Sequence, residues 1–194
     1  IISGLVGSEM CIRDSYTLTG GTHQLTVNQR PLNATLARQY DGTTAAAGST
    51  LSSFDALQGG ETLTMTGSGT AASANVANGI AMSSNGNLAL ADGTGAASNY
   101  SLNSTVINVT QRPINLSGTK IYDGNTTLNN SIVSVSSGLI GIETLTLTGE
   151  VNTNNANVGS YSASGGTLNV GSTTINIANG SNGGLAANYA INDG

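Results

Sequence analysis

No tryptophan occurs in these 194 residues, and there is only one phenylalanine, one histidine, one cysteine and two prolines. Charge is scarce too: Asp, Glu, Lys and Arg together make 8% of the chain, against about a quarter in a typical globular protein. Each scarcity excludes something. Amphipathic helices need a Glu-, Lys- and Arg-rich outer face that is missing here. A net charge of −5 without any basic cluster offers nothing to a phosphate backbone, which excludes nucleic acid as a partner. No run of about 20 apolar residues exists, so no segment reads as a membrane-spanning helix. Aromatics at 4% leave Leu, Ile, Val and Ala to build a thin core. Thr, Ser, Asn and 27 glycines fill the remainder, a usage that suits strands with neutral polar outer faces.

The single cysteine sits in a stretch unlike the rest. Leu5-Val6-Gly7-Ser8-Glu9-Met10-Cys11-Ile12-Arg13-Asp14-Ser15 resembles the conceptual translation of an adapter used in preparing sequencing libraries. Residues 1–15 are therefore read as non-native and set aside, as a tag would be. What remains has no cysteine, four basic and eight acidic residues. A cysteine-free, charge-poor chain of this kind suits an exported bacterial protein.

The dominant feature is a long internal repeat. Gln29-Arg30-Pro31 leads to Tyr40-Asp41-Gly42, and Gln111-Arg112-Pro113 leads to Tyr122-Asp123-Gly124. The offset is 82 positions, the same from Pro31 to Pro113 as from Tyr40 to Tyr122. Leu32 and Ala34, like Ile114 and Leu116, fall two apart, the period of a strand. Proline gives no ladder hydrogen bond, so Pro31 and Pro113 are expected at a junction or at the start of a strand. Asp-Gly reads as a tight turn in which glycine takes positive φ.

Further along, Glu61-Thr62-Leu63-Thr64-Met65-Thr66-Gly67 matches Glu143-Thr144-Leu145-Thr146-Leu147-Thr148-Gly149, with apolar and threonine residues on opposite faces. Asn75-Val76 matches Asn157-Val158 at the same offset. Asn99-Tyr100 matches Asn188-Tyr189 at 89, so the second copy carries extra residues, expected as a surface loop within Gly171–Gly184. Ala45–Leu51 is expected to be strand or irregular. Leu25 and Val27 alternate with polar neighbours as a strand would.

These landmarks, in one order and twice over, resemble the YDG-type repeat domains of filamentous-haemagglutinin-like adhesins from Gram-negative bacteria. The resemblance implies tandem β-rich beads on a large exported protein. It implies no catalytic residues.

The residues that could carry chemistry have plainer uses. His23 is unmatched in the second copy, so no imidazole-based site is repeated. Asp41 and Asp123 recur, as do Glu61 and Glu143, but each Tyr-Asp-Gly turn supplies one carboxylate where calcium needs several close together. Gly67-Ser68-Gly69-Thr70-Ala71-Ala72 imitates a dinucleotide fingerprint without a following helix, and Gly149-Glu150 breaks the pattern. Lys120 is the chain's only lysine and its counterpart is Arg38, so the position asks for a cation rather than an amine that could form an isopeptide bond. Strand parity puts Arg38 with Leu36 and Tyr40, and Lys120 with Leu116 and Tyr122. The charged heads are expected near a tyrosine or near Glu61 or Glu143. Asn-x-Thr triplets such as Asn33-Ala34-Thr35 arise from composition.

The reading is an all-β chain of tandem small domains, each a β-sandwich or β-grasp-like sheet. Residues 16–28 are taken as the last strand of a preceding repeat, 29–110 as the first repeat domain and 111–194 as the second, cut at its C-terminus. The structural signature is Arg30, Pro31, Arg38, Tyr40, Asp41, Gly42 and Glu61, with Arg112, Pro113, Lys120, Tyr122, Asp123, Gly124 and Glu143. The expected role is a non-catalytic stalk or spacer in a secreted, surface-exposed adhesin, without cofactors, whose partners are its neighbouring repeats. Two rivals differ in class: repeats that themselves bind host glycan or protein, which predicts an exposed aromatic cluster, and a β-solenoid, which predicts rungs of about 20 residues.

Overall fold

The computed structural model describes residues 26–162, 168–169 and 175–192. His23 and the adapter-like stretch lie outside them, as does most of the strand expected over 16–28. Its described part forms no strand, and Val27 is almost fully exposed. Among the described residues no neighbouring strand gives its backbone a ladder.

The architecture is all β with a curled sheet. The first half contributes β1 (Arg30–Gln39), β2 (Ala45–Ala47), β3 (Leu51–Phe54), β4 (Leu63–Thr66), β5 (Ser68–Ala71), β6 (Ala77–Ser84), β7 (Ala89–Asp92) and β8 (Tyr100–Thr110). The second half contributes β9 (Arg112–Gly118), β10 (Thr127–Asn129), β11 (Val133–Ser137), β12 (Leu145–Thr148), β13 (Glu150–Thr153), β14 (Leu168–Asn169), β15 (Asn176–Asn179) and β16 (Tyr189–Ile191). A single residue, Gln111, separates β8 from β9. The prolines are second in β1 and β9, close to where their missing N–H predicts.

Six strands of the first half form one sheet in the order β2-β5-β6-β8-β1-β3. Its centre, β1 against β8, is parallel, and its other pairs are antiparallel. The second half repeats the pairing. β9 lies antiparallel to β11 and parallel to β16, as β1 does to β3 and β8. β10 pairs β13, and β12 pairs β15, as β2 pairs β5 and β4 pairs β7. Matching landmarks in the same order thus produce the same ladders twice.

One expectation changes. Gly171–Gly184 is not a loop throughout: Asn176–Asn179 is a strand on Leu145–Thr148. Ile175 is buried there and Ile177 packs beside it on the same cluster, a two-residue apolar period that outweighs the surrounding Gly, Ser and Asn. Ala45–Leu51 is a strand that passes into a 3₁₀ turn at Gly48–Thr50. The glycine-rich Gly67–Ala72 stretch lies in and around β5 rather than at the start of a helix.

Burial follows the expected periods. Leu32, Ala34 and Leu36 are buried on β1, Ile107 and Val109 on β8, and Leu63 and Met65 on β4 with threonines outward. The parity of β8 slips once. Leu32 faces Leu102 but Asn33 faces Ser104, so Asn103 is an extra residue, and the Asn33 Oδ1 accepts from Asn103 Nδ2 (3.0 Å) and Ser104 Oγ (2.6 Å). Leu32, Leu63 and Tyr100 form one buried cluster, and Val133, Leu147, Val151 and Ile175 another. Between them a larger cluster joins Leu36, Tyr40, Met65 and Ile107 from the first half to Ile114 and Tyr189 from the second. The apolar core therefore runs through the junction at Gln111.

Candidate functional site

One copy of each of several recurring polar residues meets at that junction. At the start of each half, the Gln-Arg-Pro side chains do the same work. Gln29 Nε2 donates to the Ser98 carbonyl (3.0 Å) and Gln111 Nε2 to that of Ala187 (3.2 Å). Arg30 Nε donates to the Ala56 carbonyl (2.6 Å) and Arg112 Nε to that of Gly138 (2.7 Å). Ala56 and Gly138 both have positive φ, +55° and +100°, so each arginine holds the carbonyl of a left-handed turn residue.

Those turns aim a glutamate at a tyrosine. Glu61 N donates to the Gln58 carbonyl (2.9 Å) and Glu143 N to that of Ile140 (3.0 Å). The Tyr100 hydroxyl donates to Glu61 Oε2 while accepting from Gln58 N; the Tyr189 hydroxyl donates to Glu143 Oε2 (2.5 Å) while accepting from Ile140 N (3.1 Å). Here the two halves diverge. Glu143 also takes a hydrogen bond on Oε1 from the Tyr40 hydroxyl (2.7 Å), across the junction. The Tyr40 and Tyr189 rings meet edge to face, with centroids 5.4 Å apart and planes at 79°.

Two further contacts complete this joint. Gly42 has φ +76°, and a Cβ added there would lie 2.9 Å from Ile140 Cγ2. Asn188, buried, accepts from Val76 N on Oδ1 (2.9 Å) and donates from Nδ2 to Asn75 Oδ1 (3.0 Å). So Tyr-Asp-Gly and Asn-Val of the first half grip Glu, Asn and Tyr of the second.

Burial and hydrogen bonding set the acidities. Burial, then the bond to Glu143, push the Tyr189 hydroxyl up to about 12, and the same two causes raise Tyr40. The bond to Glu61 raises Tyr100.

The cations sit elsewhere than expected. Arg38 donates from Nη1 to Asp41 Oδ1 and from Nη2 to the Thr43 carbonyl, and Lys120 Nζ reaches Asp123 Oδ1 (2.7 Å) and the carbonyls of Asn125 (2.9 Å) and Thr127 (2.8 Å). Both heads turn onto their own Asp-Gly turn, not to Glu61 or Glu143. The turn leaves carbonyls pointing back along the strand, and a cation satisfies these and the aspartate together. Burial opposes the Asp41 charge, but donation from Thr43 and Arg38 outweighs it and holds the carboxyl below its ordinary range; Lys120, then Asn125 N, lower Asp123. The aspartates also close the turns, accepting from Thr43 N and Asn125 N (both 2.9 Å).

Arg38 is buried with Leu36 and Tyr40 as parity predicts, whereas Tyr122 is exposed. Asn75, Val76, Asn188 and Tyr189 are joint residues that the signature set omits. Their recurrence was visible in the sequence, but the fact that they meet was not.

The fold is all β, and its two halves meet through Tyr40, Gly42 and Asn75-Val76 on one side and Glu143, Asn188 and Tyr189 on the other. Residues 22–107 match the family model of the YDG domain, so a YDG domain is detected in the first half of the chain. No curated protein and no solved structure matches the chain.

Proposed function

We propose that the chain is a non-catalytic stalk or spacer segment of a large, surface-exposed or secreted bacterial adhesin of filamentous-haemagglutinin-like type. The joint carries this reading. Glu143, Tyr40, Tyr189 and Asn188, the groups best suited to acid–base work or ligand recognition, are spent on holding one half to the next. A continuous core and a strand path interrupted by one residue favour a stiff connection over a flexible linker. A stiff array projects a distal binding region, and neutral Thr, Ser and Asn faces keep it soluble.

Screening the chain against a glycan array and host matrix proteins tests the reading. No specific binding, together with small-angle scattering that gives one rod-like length, is the expected result. Specific capture of a glycan or host protein by these repeats would replace the spacer role with a binding one.

A further inference from the structure

Each face of the joint occurs twice, once filled and once open. The outgoing face is filled at Tyr40, Gly42 and Val76; its counterparts are Tyr122, Gly124 and Val158. Tyr40 is 4% exposed and Tyr122 63%. Val76 packs on the central core, whereas Val158 is 90% exposed. Gly42 abuts Ile140, whereas an added Cβ at Gly124 meets nothing within 4 Å.

The receiving face shows the contrast at its asparagine and at its glutamate's second hydrogen bond, while its tyrosine is buried in both copies. It is filled at Glu143, Asn188 and Tyr189; its counterparts are Glu61, Asn99 and Tyr100. Glu143 takes two tyrosine hydroxyls, and Glu61 takes one among the described residues. Asn188 is buried and Asn99 exposed. One open face lies at the start of β1, where Tyr100 pairs with Arg30, and the other past the end of β9.

At the open outgoing end, Leu116, Val133, Val151, Ile121, Tyr122 and Val158 line a groove of about 410 Å³. Exposed Ile121, Tyr122 and Val158 together are a patch that a soluble β protein ordinarily covers.

We propose that these two open faces are docking surfaces for a further repeat of the same kind, with Tyr122 of one unit donating its hydroxyl to Glu61 of the next. The filled joint supplies the geometry: a tyrosine edge on the Glu–Tyr pair and an Asn-Val backbone on the asparagine. The two faces differ, so a second copy of this chain docks head to tail and the contact does not close on itself. This inference rests on the spacer reading and gives it a molecular basis.

The test uses the full chain with a photoreactive benzoylphenylalanine in place of Val158, so that the Tyr122 hydroxyl stays in place, illuminated at about 1 mM, the effective concentration that a short tether provides. Unchanged melting confirms folding, since Val158 is exposed. A ladder of dimers and longer species, with crosslinks mapping to Gln58–Glu61 or Ala97–Tyr100 of the second copy, is expected. Glu61→Gln added to the same protein is expected to cut the yield about tenfold, the equivalent of one charge-assisted hydrogen bond. Monomer at every concentration, crosslinks scattered over other surfaces, or a ladder indifferent to Glu61→Gln would overturn the proposal. The glycan array judges the spacer reading separately, so the two can fail independently.

Discussion

The Tyr40 hydroxyl donates to Glu143 across 103 positions of sequence, at 2.7 Å, on a carboxylate whose other oxygen is held by Tyr189. One side chain thereby ties the residue that follows β1 to the last strand, β16, of the second half. The edge-to-face ring pair adds about 0.5–1.5 kcal/mol beyond its buried area.

Glu143→Gln keeps one acceptor oxygen and turns the other into a donor facing a hydroxyl. A loss of about 1–3 kcal/mol in urea unfolding is expected. Glu61→Gln, serving a single tyrosine, should cost less. Equal losses would remove the joint as the reason for the difference.

Alkali should weaken the protein through the same groups. Tyr189 and Tyr40 are raised above the ordinary tyrosine value of 10, Tyr189 to about 12, so between those values the folded chain keeps protons that the unfolded chain releases. Stability is whole below pH 10 and falls as pH rises towards 12. Melting temperature recorded against pH should show that fall, and Tyr189→Phe should flatten it. An unchanged slope in Tyr189→Phe would contradict the assignment.

Gly42→Ala and Gly124→Ala make a matched pair. Both glycines have φ near +77°, so each substitution carries the left-handed cost of about 1 kcal/mol. Only at position 42 does the new methyl also press on Ile140. Gly42→Ala should be the more destabilising by calorimetry.

Lys120→Arg should preserve the melting temperature and Lys120→Met should lower stability by about 1 kcal/mol, since methionine leaves Asp123 and two carbonyls without their donor. Equal melting of the methionine variant would show that only the stem matters.

Much of this was legible in the chain. Leu32, Ala34, Leu63 and Met65 sit two apart, and a strand with one buried face has no other way to hide them. Asp-Gly at 41–42 and 123–124 specified its turn because only glycine takes φ near +77° without strain. The strand at Asn176–Asn179 was missed because its Gly/Ser/Asn setting masked an apolar pair, Ile175 and Ile177. The destination of Arg38 and Lys120 was missed because parity fixes a face but not the direction in which a long side chain leans.

By itself the sequence determined an all-β chain, its repeat, its turns and most of its inward residues, because strand period and glycine stereochemistry are local. Only the tertiary structure decided what the landmarks are for. Glu143, Tyr40 and Asn188 acquire their meaning by meeting across the junction, and a long-range contact between unlike landmarks leaves no period to read. Two copies of one motif look alike in sequence; Tyr40 is buried and Tyr122 faces solvent, a difference set by the second half of the chain, which covers only the first.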